Sequence, residues 1–473
     1  MITHRYTVFI GVVGIVLGLG AVRAYAQAPP GVDDSQSPAD VPAGDAATEG
    51  LRSLYVPGGL SPDRAVQAVI GTSPDLKRTK ALLEQAKGGA LQAMSALVPQ
   101  LELIGRYTRL SPVDNPTFEI PGLGALTFPS LTKQTATDAT LSYSFTRSLA
   151  EAMPAYRAAK KSKAAAEYQI QAELNDVAFD GRRAYYEYAR AEAGLAVANF
   201  ALEAAVSQRE ETEALVGAGS AARVDLMRVR AQEEAARVAV EQAKLGAQVA
   251  ARALQTLMHT EELPSLGEDL SEEVTGIPTE TEKTLLERAY QDRPDLLALL
   301  KYIEVTEHQL KSAKGGGAPD VLARGSVQYS NPNLRVVPQQ QRFESTWEVS
   351  AVIRWTPNGT VAASGRAHEI RAALQQAEAD TQLMRDAIRV EVAQGYHGML
   401  AARSAIESSR LGLEAAREGY RVTREQLQAG IVNTTTLLQA QTELIRAQVD
   451  VVESAIGIRI AKAQLRRAIG EMP

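Results

Sequence analysis

The chain has no cysteine among its 473 residues. That removes disulfide scaffolds, thiolate nucleophiles, cysteine-ligated zinc and a lipid carried on an N-terminal cysteine. Aromatic residues make up only 5%, and alanine, glutamine, leucine, glutamate and arginine fill long stretches instead, as in extended helices packed through narrow seams. Basic charge is not in excess: the formal net charge is -6, so there is no general basic field to hold nucleic acid. The five histidines, His4, His259, His308, His368 and His397, are scattered without metal-ligand spacing. No serine, histidine and aspartate are arranged as a nucleophile beside its base, and no cofactor motif is present, so neither an enzyme nor a cofactor is expected. Past the N-terminus no apolar run is long enough to span a bilayer as a helix, so membrane entry would have to be as a β-barrel.

The N-terminus itself reads as an address. His4 and Arg5 precede the apolar run Val8 to Val22, which ends at Ala24-Tyr25-Ala26 with Gln27 beyond. Residues 1–26 are expected to be a secretory signal rather than a membrane anchor, because the run is shorter than the ~20 residues of a spanning helix. Residues 27–59, rich in Ala, Pro, Gly and Asp, are expected to be extended.

The remainder is written twice. Ser73-Pro74-Asp75-Leu76 and Arg293-Pro294-Asp295-Leu296 each open a helical stretch, with proline at the first turn where its missing N–H costs nothing. Further on, Gly219-Ser220-Ala221-Ala222-Arg223-Val224-Asp225-Leu226 corresponds to Gly430-Ile431-Val432-Asn433-Thr434-Thr435-Thr436-Leu437 at a nearly equal offset. Two structural repeats follow, 60–259 and 282–470, joined by a connector over 260–281. Each is read as helix, strand pair, very long helix, glycine-containing turn, helix. The long helices, about Leu149 to Val216 and about Arg366 to Gln428, hold roughly 65 residues and span on the order of 100 Å.

Heptad spacing describes how they pack. Met399, Ile406, Leu413, Tyr420 and Leu427 recur every seventh residue, as do Leu437, Leu444, Val451, Ile458 and Leu465 after the turn. Leu226, Val240, Ala247 and Leu254 hold the matching positions of the first repeat, with Glu233 interrupting the row.

Four segments alternate with period two instead. Leu101, Leu103, Gly105 and Tyr107 form one apolar face, and Ala139, Leu141, Tyr143 and Phe145 another. The second repeat supplies Val321, Ala323, Gly325, Val327 and Tyr329, then Trp347, Val349, Ala351, Ile353 and Trp355. The intervening residues are largely polar or charged, the pattern of a barrel with lipid outside and water inside. The expected lipid face comprises Leu103, Tyr107, Leu141, Tyr143, Phe145, Val327, Tyr329, Trp347, Val349 and Trp355. Four strands cannot close a barrel alone, and an open edge in lipid is prohibitive, so several chains must contribute; three copies would supply a dozen strands. The proline-bearing segments Ser111 to Lys133 and Asn331 to Glu344 fit surface loops at the outer rim.

With these residues in view, the chain resembles the TolC-like outer-membrane efflux protein family from about Leu60 to Gly470. The two glycine turns, the duplicated Pro-Asp-Leu and the strand pairs carry the resemblance. It implies a mainly α fold with a small β part: a trimeric outer-membrane β-barrel, four strands per chain, continued by a long α-helical periplasmic barrel. It further implies a passive exit duct from a Gram-negative cell, docked to a periplasmic adaptor protein and through it to an inner-membrane pump of the RND or ABC type. The docking tip would comprise Gly219, Ser220, Ala221, Asp225, Leu226, Gly430, Ile431, Asn433, Thr436 and Gln439. Gly219 and Gly430 suit a left-handed helix end, Ser220 and Asn433 suit N-caps, and Asp225 suits the positive end of a helix dipole. Some members carry acidic residues where this chain has Thr436 and Gln439, so an acidic, cation-sensitive constriction is not expected unless Asp225 supplies the charge. Many members also carry a lipidated cysteine after the signal; here the barrel alone would hold the chain in the membrane. Small-molecule efflux is the leading expectation, with a type I protein secretion duct or a pore-less periplasmic coiled-coil spacer as alternatives. Gly315-Gly316-Gly317 lacks the strand-to-helix setting of a phosphate loop and reads as a flexible junction.

Overall fold

The computed structural model describes residues 54–112, 117–120, 124–127, 132–263, 265–272, 274, 280–337 and 340–473. The signal and most of the N-terminal segment expected from the sequence lie outside the described residues.

The first repeat begins with two abutting helices, α1 (Pro62–Thr72) and α2 (Pro74–Ser95). Ser73 serves both, ending α1 through its backbone N–H to the Val69 carbonyl and starting α2 by accepting from the Leu76 N–H at 3.2 Å. Strands β1 (Gln100–Arg109) and β4 (Lys133–Ser144) flank a short hairpin, β2 (Thr117–Ile120) and β3 (Gly124–Thr127). The sequence predicts surface loop over that stretch, because four-residue strands are too short to declare an alternating pattern. A single turn and a π-helical turn over Ser148–Ala152 lead into α3 (Met153–Gly217), followed by α4 (Arg223–Met258).

The second repeat follows the same order: α5 (Glu282–Asp292), α6 (Pro294–Gly315), β5 (Asp320–Asn331), β6 (Glu344–Arg354), α7 (Pro357–Gln428) and α8 (Thr434–Ala468). Helix α7 starts at Pro357, well before the Arg366 expected, because a proline at the first turn opens a helix as well as it ends one. Its 72 residues span about 108 Å at ~1.5 Å per residue. Among the described residues, no helix is long and apolar enough to cross a membrane.

Helices α3 and α7 run the length of the body and are joined by different partners at its two ends. On the strand side the row runs α2, α3, α6, α7; beyond the middle it runs α4, α3, α8, α7. The four-stranded sheet has the corresponding order β1, β4, β5, β6, all antiparallel.

No single globular core holds this body. One buried cluster at mid-length joins Tyr185 and Tyr186 of α3 to Leu254 of α4, Ile456 of α8 and the connector residues Leu266 and Leu270. A second joins Leu285 and Leu296 to Ile388, Val392 and Leu465. Leu413 and Leu444 continue the α7–α8 seam toward the turns. Glu233, the break in the heptad row, stays in the seam, 8% exposed, with Arg209 of α3 at 2.8 Å and Arg237 at 2.7 Å. A buried carboxylate persists there because two guanidiniums compensate its desolvation.

The Gly-rich junction is a close contact rather than a hinge. A Cβ on Gly315 would sit 2.1 Å from the Ala150 carbonyl oxygen in the π-helical turn. Ser312 donates to the Glu151 carbonyl beside it at 2.9 Å, so the lower end of the sheet is bolted to two helices. Proximity, not flexibility, requires glycine there.

Candidate functional site

At the end of the body distant from the sheet, both long helices terminate identically. Gly219 lies at φ +76° and Gly430 at φ +72°, a left-handed conformation that side chains with a Cβ resist. Ser220 N–H donates to the Leu215 carbonyl at 2.8 Å and Gly219 N–H to Val216 at 3.0 Å. Ile431 to Gln426 at 2.8 Å and Gly430 to Leu427 at 2.9 Å repeat the pattern in the second half. These paired bonds satisfy the carbonyls a helix end leaves open, so the chain reverses without exposing unpaired backbone.

The helices leaving the two turns start differently. Asn433 caps α8, its Oδ1 accepting from the Thr436 N–H at 3.0 Å and the Thr436 hydroxyl at 3.1 Å. Ser220 does not cap α4: Ala222 occupies the N-cap position with no side-chain bond. Two intervening residues carry Ser220 past the point where its hydroxyl could reach the first-turn N–H groups. Asp225 sits in the first turn as expected, 3.4 Å from Arg228. Arg228, which sequence reasoning passed over, also donates to the Thr435 hydroxyl at 3.2 Å and so ties the two turns together. Beneath the surface, Leu226 and Leu437 are buried, whereas Ile431, Thr436 and Gln439 are exposed. The tip thus presents backbone, uncharged side chains, the exposed Arg223 and Arg228, and one carboxylate, Asp225, partly neutralised by Arg228.

At the opposite end, strand register decides which side chains share a face. Leu103, Ala139, Val327 and Trp347 form one straight row across the sheet; Leu101, Leu141, Gly325 and Val349 form the next. Tyr107 and Tyr329 lie on this same face nearer the loops. The other face carries rows such as Glu102, Thr140, Ser326, Glu348 and Ile104, Asp138, Gln328, Thr346. Phe145 and Trp355 each lie one residue past their strand, at the junction with the helices. The backbone turns into a helix there, so alternation ceases to specify a face. Tyr143 is half-buried, its hydroxyl donating to Ser148 Oγ at 2.9 Å.

The exposed apolar surface on the helices is unevenly distributed. Large exposed hydrophobic side chains concentrate on α2, α4 and α7, among them Leu91, Val238, Leu245, Leu383 and Leu411, while α3, α6 and α8 bear few. Those three richly exposed helices flank the row, just as β1 and β6 flank the sheet.

At mid-length the connector is clamped. Arg459 of α8, 6% exposed, donates to Glu268 at 2.7 Å and to the carbonyls of Asp269 and Glu272. Gly59 and Gly267 meet so closely that a Cβ on Gly267 would lie 2.5 Å from the Gly59 backbone. Burial, reinforced by the Glu268 charge, pushes the hydroxyls of Tyr185 and Tyr186 above their ordinary titration range. Burial and the cations of Arg466, Arg182 and Arg459 push Lys462 down.

An amphipathic four-stranded sheet with two open edges, continued by paired hairpins about 100 Å long, defines the class of channel-forming outer-membrane proteins with a helical extension. The chain belongs to the outer membrane efflux protein family, whose profile matches residues 65–259 and 285–471, one match in each repeat. No curated protein matches it by sequence alone. In fold it is similar to the Campylobacter jejuni CmeC outer membrane channel, at 16% identity, TM-score 0.73 and coverage of 93% of this chain and 94% of that one. The outer membrane protein VceC of Vibrio cholerae gives 18%, 0.71, 87% and 96% in the same order. CusC, described in terms of transmembrane channel formation, gives 15%, 0.73, 89% and 94%.

Proposed function

We propose that three copies of this chain close side by side into a single tube that serves as the outer-membrane exit duct of a tripartite efflux system. The observation that carries this reading is the coincidence of open edges. Strands β1 and β6 each have one side that, among the described residues, pairs with no other strand of the chain, and each unpaired backbone group in hydrocarbon costs several kcal/mol. Pairing β6 of one copy with β1 of the next removes that penalty for every copy, provided the ring closes. The same step brings α7 of one copy against α2 and α4 of its neighbour, covering the apolar side chains left exposed on those helices.

In this reading Leu103, Tyr107, Leu141, Val327, Tyr329, Trp347 and Val349 meet outer-membrane lipid, and the face bearing Glu102, Asp138 and Glu348 lines a wet channel. The turns at Gly219 and Gly430 form the periplasmic mouth. Ile431, Thr436 and Gln439, exposed beside them, contact a periplasmic adaptor that connects to an inner-membrane pump of the RND or ABC type. Nothing in the chain performs chemistry on its cargo, and energy comes from the pump. Small-molecule efflux is favoured over protein secretion by the family's description.

Reconstitution into planar bilayers is the direct test. Stepwise conductance from a detergent-purified trimer supports a duct; a monomer soluble without detergent and silent in bilayers overturns it in favour of a spacer.

A further inference from the structure

The polar face of the sheet is covered at its loop end by the chain's own β5–β6 connection. Ser330 is 0% exposed and Ala136, its register partner, 6%, although Tyr329 on the opposite face is 50% exposed. Asn333, itself 1% exposed, donates through Nδ2 to the Glu344 carbonyl at 3.1 Å and to the Thr346 hydroxyl at 3.2 Å. Its Oδ1 accepts from the Arg335 N–H at 3.0 Å. The Arg335 guanidinium then reaches the Trp347 carbonyl at 3.1 Å and Glu348 Oε2 at 2.8 Å. Thr346 and Glu348 belong to the polar face. Glu348 lies four residues inside the strand from Glu344, about 13 Å from the strand end at ~3.3 Å per residue. A connection standing away from the sheet could not bring Arg335 there.

We infer that residues 332–337 form an inward-folded constriction at the outer mouth of the duct, with Asn333 and Arg335 setting the size of cargo that passes. This rests on the duct reading, in which the polar face is the channel wall. In a three-copy ring, three such segments converge from the wall toward the axis. Their fastening is graded: the buried Asn333 bonds are protected from water, whereas the Arg335–Glu348 pair, with both side chains about half exposed, is a weak contact that competes with solvent. A weakly held segment anchored at one point suits a restriction that cargo pushes aside.

The absence of native cysteine makes the test clean. Ser326, half-buried on the polar face opposite Glu348, is replaced in a Ser326→Cys background. Intact cells are treated from outside with a small maleimide and with a polyethylene-glycol maleimide of about 5 kDa. The large reagent is too bulky to enter the periplasm, so its labelling rate is insensitive to the state of the periplasmic mouth. Labelling by the small reagent alone, with at least tenfold faster labelling by the large one after adding Asn333→Ala and Arg335→Ala, supports the constriction. Glu348→Gln, which leaves the connection intact, should accelerate it to a lesser degree and covers the case in which the double variant fails to assemble. Equal labelling by the large reagent with and without these changes overturns the inference while leaving the duct standing. No labelling by the small reagent in any background overturns the duct reading, and the constriction with it.

Discussion

Arg228 donates to the hydroxyl of Thr435 across the two hairpin turns, 3.2 Å away, while facing Asp225 on its own helix. These residues come from different repeats, so the contact resists any motion that separates one turn from the other. Because Arg228 is about half exposed, the tie is worth about 1 kcal/mol or less in each copy. Arg228→Ala is expected to raise the open fraction of the reconstituted channel by up to about fivefold for each copy whose tie must break, read as longer open dwell times in planar bilayers. Unchanged dwell times would place the restriction elsewhere.

Gly219→Val and Gly430→Val force a β-branched side chain into the left-handed region, at roughly 1–2 kcal/mol per site. Nothing lies within 4 Å of the added Cβ at either position, so the penalty is one of backbone rather than packing. Trimers should still reach the membrane, seen as heat-dissociable bands on gels, while export falls. Normal export in both variants would count against a role for these turns at the periplasmic mouth.

Convergence of the turns can be trapped covalently. Cysteines placed at Ser220 and Ile431, in a chain with none of its own, should oxidise to a bond between hairpins and abolish export until a reductant is added. If no pairing among positions 219–220 and 430–431 cross-links, the hairpin ends do not meet.

Arg459→Ala removes the donor to Glu268 and to the carbonyls of Asp269 and Glu272 in a buried setting. Loss of one partner from a buried pair costs about 3–5 kcal/mol. Release of the connector should appear as protease cleavage between 260 and 281 well below the temperature at which the trimer dissociates. A cleavage profile matching the wild type would show that Leu266 and Leu270 suffice to hold it.

Two glycines in helices should respond oppositely to alanine. Gly315→Ala drives a methyl into the Ala150 carbonyl and should prevent assembly. Gly88→Ala meets nothing within 4 Å and should stabilise α2 by up to about 1 kcal/mol. Trimer bands on unheated gels check the first, and thermal dissociation of the trimer the second.

Much of this architecture was legible in the linear order of residues. Long proline-free heptads can only be long helices, and ten-residue alternation can only be a strand with two unlike faces. What escaped was whatever depends on neighbours remote in sequence. Arg228 looks like any surface arginine until α8 is laid beside α4. Gly315 looks like a hinge until Ala150 is brought against it, and the β2–β3 hairpin is too short to carry a pattern of its own.

The sequence by itself determined element type, the duplication, and which strand residues must share a face, because those follow from periods of 3.6 and 2 within one segment. Only the tertiary structure decided the order of helices around α3 and α7, the straight apolar rows across four strands, the clamp on the connector and the contacts of Asn333 and Arg335 with β6. Each of those depends on register between segments far apart in the chain, and register is set by packing and hydrogen bonding between elements, which no single segment encodes.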